Sequence, residues 1–95
     1  MEKLHLSSNE NREVLVSTMV HELPVLRARL GASQAELAEM IGISRQSYNS
    51  YEKGKKEMPW TTFMALIAVF QNNTETNRML MTNNCFEEFL TNTEL

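Results

Sequence analysis

The stretch from Gln34 to Lys53, QAELAEMIGISRQSYNSYEK, constrains the fold more than any other part of the chain. Leu37, Ala38 and Ile41 fall at i, i+1 and i+4, which places them on one face of a short helix. Gly42 then stops the run, because a glycine just past a helix takes the left-handed conformation that closes it at no Cβ penalty. Ile43 is an apolar plug one residue later, and Ser44 is a good N-cap for a second helix. That second helix repeats the pattern with Ser47, Tyr48 and Tyr51 on one side. Ala38 stands where two steeply crossing helices must approach closely, so a small side chain there is informative. An ordinary helical hairpin has no need of a small residue, a glycine and an apolar plug at these offsets. Together they specify two short helices crossing through a tight turn.

The second helix also has an unusual outer face. With Tyr48 turned toward the core on a 100° wheel, Gln46, Asn49, Ser50 and Lys53 lie on the far side, and Arg45 lies on the flank near the N-terminus. This face carries amides, hydroxyls and a guanidinium, with no large apolar residue. Those groups read base edges in the major groove: Arg pairs with guanine O6 and N7, and Gln or Asn with adenine N6 and N7. A merely solvated helix more often carries Glu and Lys pairs four residues apart.

From Leu26 to about Phe70 the chain resembles the lambda-repressor-like, Cro/cI-type helix-turn-helix domain of bacterial and phage regulators. The segments that carry the likeness are SQAELAEMIGIS, SRQSYNSYE and the following EKGK. The resemblance implies an all-α fold, a compact five-helix DNA-binding domain with short N- and C-terminal helical extensions. It implies that Gln34 touches a phosphate, that Ser44, Arg45 and Gln46 reach the bases with Asn49 and Ser50 a turn later, and that Lys53, Lys55 and Lys56 lie along the sugar–phosphate backbone. Tyr48 and Tyr51 depart from the family, which usually has aliphatic residues there. Both rings are expected in the core with the hydroxyl directed outward toward a phosphate. The implied function is a sequence-specific, DNA-binding transcriptional regulator, with repression as the expected mode. It would bind an inverted repeat in double-stranded DNA as a homodimer, with half-sites roughly 34 Å apart. Because antitoxins use the same domain, the resemblance also allows an antitoxin-type module that binds a protein partner and represses its own operon.

The net charge of −3 argues against DNA binding only if taken whole. Residues 27–70 carry Arg27, Arg29, Arg45, Lys53, Lys55 and Lys56 against Glu36, Glu39, Glu52 and Glu57, while both ends of the chain are acidic. Basic groups therefore collect on the segment expected to face DNA. Their number suits a protein that leans on specific contacts and on dimerisation rather than a sequence-independent coat.

With 95 residues and 42% hydrophobic content the chain suits one folded domain. Residues 8–24 read as an N-terminal helical extension, 25–70 as the helix-turn-helix core and 71–95 as a C-terminal segment. Residues 1–7 read as a polar arm, with Ser8 as N-cap of a helix through Val14, Leu15, Met19, Val20 and Leu23. Pro24 either interrupts that helix or opens the next, Val25 to Leu30. Gly31 ends it, and Ser33 with Glu36 forms a capping box for the following helix. Pro59 opens a helix from Trp60 to Phe70 that is apolar almost all round. Glu75–Met81 and Cys85–Leu90 are two further short helical stretches. Phe86, Phe89 and Leu90 either fold back on the core or meet the same segment of a second subunit; for the segment as a whole a dimer contact is expected.

Single Cys85 excludes an internal disulfide and fits a reducing cytoplasm. His5, His21 and Cys85 are too scattered for a metal site, so neither metal nor cofactor is expected. No signal peptide or membrane-spanning segment is apparent. Nothing pairs a nucleophile with a base, so no enzymatic activity is expected.

Overall fold

Local signals set most of the helix ends. The computed structural model describes residues 9–91, and all regular structure among them is α-helical. The elements are α1 (Asn9–Leu30), α2 (Gln34–Ile41), α3 (Arg45–Glu52), α4 (Trp60–Gln71), α5 (Thr74–Thr82) and α6 (Asn84–Thr91). Ser33 caps α2 through a complete capping box: its hydroxyl accepts from Glu36 N at 3.0 Å, and Ser33 N donates to Glu36 Oε1 at 2.8 Å. Asn73 accepts from Thr76 N at 3.0 Å to start α5, and Asn83 Oδ1 accepts from Cys85 N and Phe86 N at 3.0 and 3.2 Å to start α6. Each bond satisfies an amide that a helix start otherwise leaves without a partner. The proposed cap Ser8 and the arm before it lie outside the described residues, as do residues 92–95.

Pro24 does not divide the chain. It lies inside a continuous α1 of 22 residues. A proline in a helix interior forgoes one backbone hydrogen bond and crowds the preceding turn. Here Leu15, Met19, Leu23 and Leu26 form one buried stripe through the proline, at helical spacing, while Pro24 itself points to solvent. Burial of a large aliphatic side chain contributes about 1.5–3 kcal/mol, so the Leu23 and Leu26 contacts on either side outweigh the local cost. The described chain therefore has six helices, with the N-terminal extension fused to the first helix of the core.

That stripe is the spine of the molecule. Leu37 and Ala38 from α2, Tyr48 from α3, Met58, and Phe63, Leu66, Ile67 and Phe70 from α4 pack against it, together with Leu80, Phe86 and Phe89 from the last two helices. Aromatic rings dominate one end. Trp60 stacks on Phe63 with centroids 4.6 Å apart, and Phe89 meets both rings edge-on at 5.9 and 5.8 Å. Such pairs add about 0.5–1.5 kcal/mol each beyond area burial. Leu80, Phe86 and Phe89 thus find their partners within the protomer, which removes the argument that these residues need a second subunit to cover them. Thr76 is the polar exception in this region. It is buried, and its hydroxyl donates to Phe70 O at 2.7 Å, locking α5 to the end of α4.

Candidate nucleic-acid interface

The turn between α2 and α3 forms as the spacing dictates. Gly42 has φ 79 and ψ 30, a left-handed conformation in which a side chain would be strained. Ile43 N donates to Ala38 O at 3.0 Å, closing α2, and Ile43 packs against the core. Ser44 starts α3 by accepting from Ser47 N at 3.0 Å. Ala38 is almost wholly buried, as a close crossing of the two helices requires.

Behind α3, a polar clamp fixes its angle to the rest of the domain. The Glu52 carboxylate, its side chain only 7% exposed, receives Arg27 Nε and Nη2 as a fork, both at 3.3 Å. Gln34 Nε2 donates to the same carboxylate at 3.0 Å, and Arg27 Nη1 donates to Ala32 O at 3.2 Å. One carboxylate therefore ties the end of α3 to α1, to the start of α2 and, through Arg27, to the loop between them. Burial works against the Arg27 charge, but the hydrogen bond and charge of Glu52 outweigh it, so the guanidinium is held more firmly protonated than usual. Sequence reasoning counted Arg27 and Glu52 only as charges. They are 25 residues apart in the chain, and no local pattern announces such a pair.

Tyr48 differs from its sequence expectation in one respect. The ring is in the core as anticipated, but the residue is wholly buried and its hydroxyl does not reach the surface. The oxygen ends beside Arg27 and Glu52 without a hydrogen bond of its own among the described residues. Burial, and then the neighbouring Glu52 carboxylate, push the phenol well above its usual pKa, and Arg27 opposes this only in part. A phosphate contact through this hydroxyl is excluded by its burial. Tyr51 is half-buried against the core.

The outer face of α3 is different in kind. Arg45 and Gln46 are exposed, Asn49 and Ser50 are half-buried, and these residues line one shallow basin with Ser47 and Lys56, of about 440 Å³. No hydrogen bond or ion pair engages the side chains of Arg45, Gln46, Asn49 or Ser50 among the described residues. Ser44 and Gln34 are held otherwise, the first by its cap and the second by Glu52. The nine residues singled out by sequence thus separate into two that brace the fold and seven whose polar ends face outward without a partner. The charge follows the same division. Arg27 pairs with Glu52 and Arg29 with Glu75 at 3.6 Å, whereas Arg45, Lys53, Lys55 and Lys56 make no ion pair among the described residues. The Arg27–Glu52 pair removes one charge of each sign, so the basic character of the outward-facing surface rests on Arg45, Lys53, Lys55 and Lys56.

A second depression lies beside the first. Arg12, Val16, Val20, Lys55, Met58 and Trp60 are among the residues of an open groove of about 770 Å³ between α1 and the turn after α3, with the Arg12 guanidinium 4.6 Å from the Trp60 ring centre. Among the described residues, no group of three or more His, Cys, Asp and Glu side chains could hold a metal ion. Also among them, no helix is long and apolar enough to cross a membrane.

Residues 26–72 match the family model described as helix-turn-helix. No curated protein matches the chain, and no solved structure does.

Proposed function

Because residues 26–72 are a helix-turn-helix domain of the Cro/cI type, and the chain is thereby a DNA-binding regulator, we propose that it reads a specific sequence through the outer face of α3. The observation that carries this reading is the set of unengaged polar side chains on that face. Arg45, Gln46, Asn49 and Ser50 offer donors and acceptors with no partner among the described residues, directly above a core that fixes their backbone. Such groups, lodged in a major groove, find bonding patterns that differ for every base pair. Lys53 and Lys55 follow at the C-terminal end of the helix, where phosphates flank the groove.

In this proposal two copies place their α3 helices in successive major grooves of an inverted repeat, and occupancy of a promoter represses transcription in the cytoplasm. A single α3 touches too few base pairs to select a site in a genome, so pairing of subunits supplies the rest. Within the C-terminal segment, Met81 is exposed and Met79 and Leu90 are half-buried, which leaves a smaller apolar surface there than the sequence suggested. On α1, Val14 is 53% exposed while Leu15 and Met19 are buried, so an N-terminal contact would rest on Val14. Gln34 is proposed to act on DNA only after leaving, or while sharing, its bond to Glu52.

Selection of bound sites from random double-stranded DNA tests the reading directly. A recovered motif with two-fold symmetry supports both base reading and dimerisation, and a motif without symmetry supports base reading by a monomer. Retention of DNA with no enriched motif would refute the proposal.

A further inference from the structure

We infer that Lys56 is a base-reading residue that recognises guanine, and not one more phosphate contact of the basic turn. This rests on the proposed docking of α3 in the major groove. The geometry of the turn is what separates Lys56 from its neighbours. Lys53 ends α3, and Gly54, at φ 72, reverses the chain in a left-handed conformation. Gly54 N donates to Tyr51 O at 3.1 Å. Lys55 N and Lys56 N then both return to the same acceptor, Ser50 O, at 2.8 and 3.3 Å. The backbone at Lys56 is therefore drawn back alongside the last turn of α3 instead of leading away from it.

The result is visible at the surface. Lys56 lines the same basin as Arg45, Gln46, Asn49 and Ser50, whereas Lys53 and Lys55 do not. Lys56 also borders the groove that contains Lys55 and Trp60, so it forms the ridge between the two depressions. Lys56 is exposed and has no ion pair among the described residues. No ion pair among the described residues therefore holds its ammonium away from the basin.

In this docking the basin lined by Arg45, Gln46 and Asn49 opens on base edges, and a Lys56 side chain extended into it meets them. An ammonium has three donors and no acceptor. It matches the paired N7 and O6 acceptors of guanine and is repelled by the amino groups that adenine and cytosine present in the same groove. Lys56 accordingly adds a G·C requirement at one position of each half-site, beyond the positions read by Arg45 and Gln46.

The test compares full-length wild-type protein with Lys56→Ala, Lys56→Gln and Lys55→Ala, each by selection from random DNA and by affinity measured across a salt series. Circular dichroism shows whether the variants keep the wild-type fold. The expected wild-type motif contains a G·C pair that becomes degenerate in Lys56→Ala, while all other positions persist. Affinity for the wild-type site should fall about 5- to 150-fold, with little change on a site already altered at that pair. Lys56→Gln should move the preference at that position toward adenine, and Lys55→Ala should leave the motif intact. An unchanged motif in Lys56→Ala, with equal weakening on all sites and a salt slope flatter by about one, would assign Lys56 to a phosphate and overturn the inference while base reading by α3 stands. A wild-type protein that selects no motif would overturn both.

Discussion

Replacing Tyr48 with phenylalanine should make the protein more stable. The native hydroxyl is sealed in the core with no hydrogen-bond partner among the described residues, although the unfolded chain solvates it. Leaving a buried hydroxyl unsatisfied costs about 1–3 kcal/mol. The charged Glu52 and Arg27 groups lie close enough to stabilise its dipole partially, which favours the low end of that range. Phenylalanine keeps the ring and all its contacts, so a gain of about 1 kcal/mol is expected, or a rise in Tm of roughly 4–8 °C for a domain of this size. Urea unfolding followed by far-UV circular dichroism measures it, with an unchanged denaturant slope as the sign that only stability moved. The pH dependence gives an independent check. The native phenol holds its proton to higher pH than the unfolded one, whose usual pKa is 10.0, so its contribution is fully present below about pH 10 and is lost as pH rises beyond it. The phenylalanine variant lacks that loss, and its advantage should widen above pH 10. DNA affinity should not change, because the hydroxyl is out of reach of any phosphate. A variant less stable than wild type by more than about 0.5 kcal/mol would refute the reasoning, since the hydroxyl must then have a partner in the folded protein.

Other outcomes follow from the same structure. Arg45→Ala or Gln46→Ala should cost about 1–3 kcal/mol on the best DNA site and relax preference at one base pair per half-site, as read by competition binding. Neutralising Lys53 and Lys55 together should weaken all sites alike and flatten the salt slope by about two, seen in a titration of affinity against salt. Glu52→Ala leaves Arg27, 24% exposed, without its carboxylate and frees Gln34; a loss of about 2–4 kcal/mol in unfolding free energy is expected. Truncation after Asn72 strips Leu80, Phe86 and Phe89 from the core and should abolish the cooperative thermal transition.

What the sequence disclosed and what it withheld divide by the range of the forces involved. The Ser33 capping box, the Gly42 stop and the Ser44 cap are settled within four residues of chain, and each forms as read. Pro24 was ambiguous because its fate depends on what Leu23 and Leu26 touch, and that lies far away in sequence. Periodicity showed that Phe86 and Phe89 needed an apolar home but could not say whether it belonged to the same subunit. A helical wheel placed the Tyr48 ring correctly, since it gives the direction of Cβ, yet it has no information on whether the pocket is deep enough to swallow the hydroxyl. Of the candidate site, the residues on α3 and its turn were legible as a face. The engagement of Gln34 was not, because its partner Glu52 lies 18 residues away.

The segment that defines kinship and the segment that folds have different lengths. The matched region begins at residue 26, inside α1, and stops at residue 72, before α5. Yet α1 is joined along its whole length to the later helices: Arg12 lies over Trp60, Thr18 donates to Cys85 Sγ at 3.7 Å, Arg27 grips Glu52 and Arg29 reaches Glu75. Grafting the matched segment onto another scaffold would therefore carry over the outer face of α3 without the frame that keeps it in line. Divergence in such a protein is channelled accordingly. Exposed side chains such as Arg45 and Gln46 on the outer face of α3 are little constrained by the fold, whereas a change at Leu15 or Met19 must be answered within the core cluster that these residues share with the other helices.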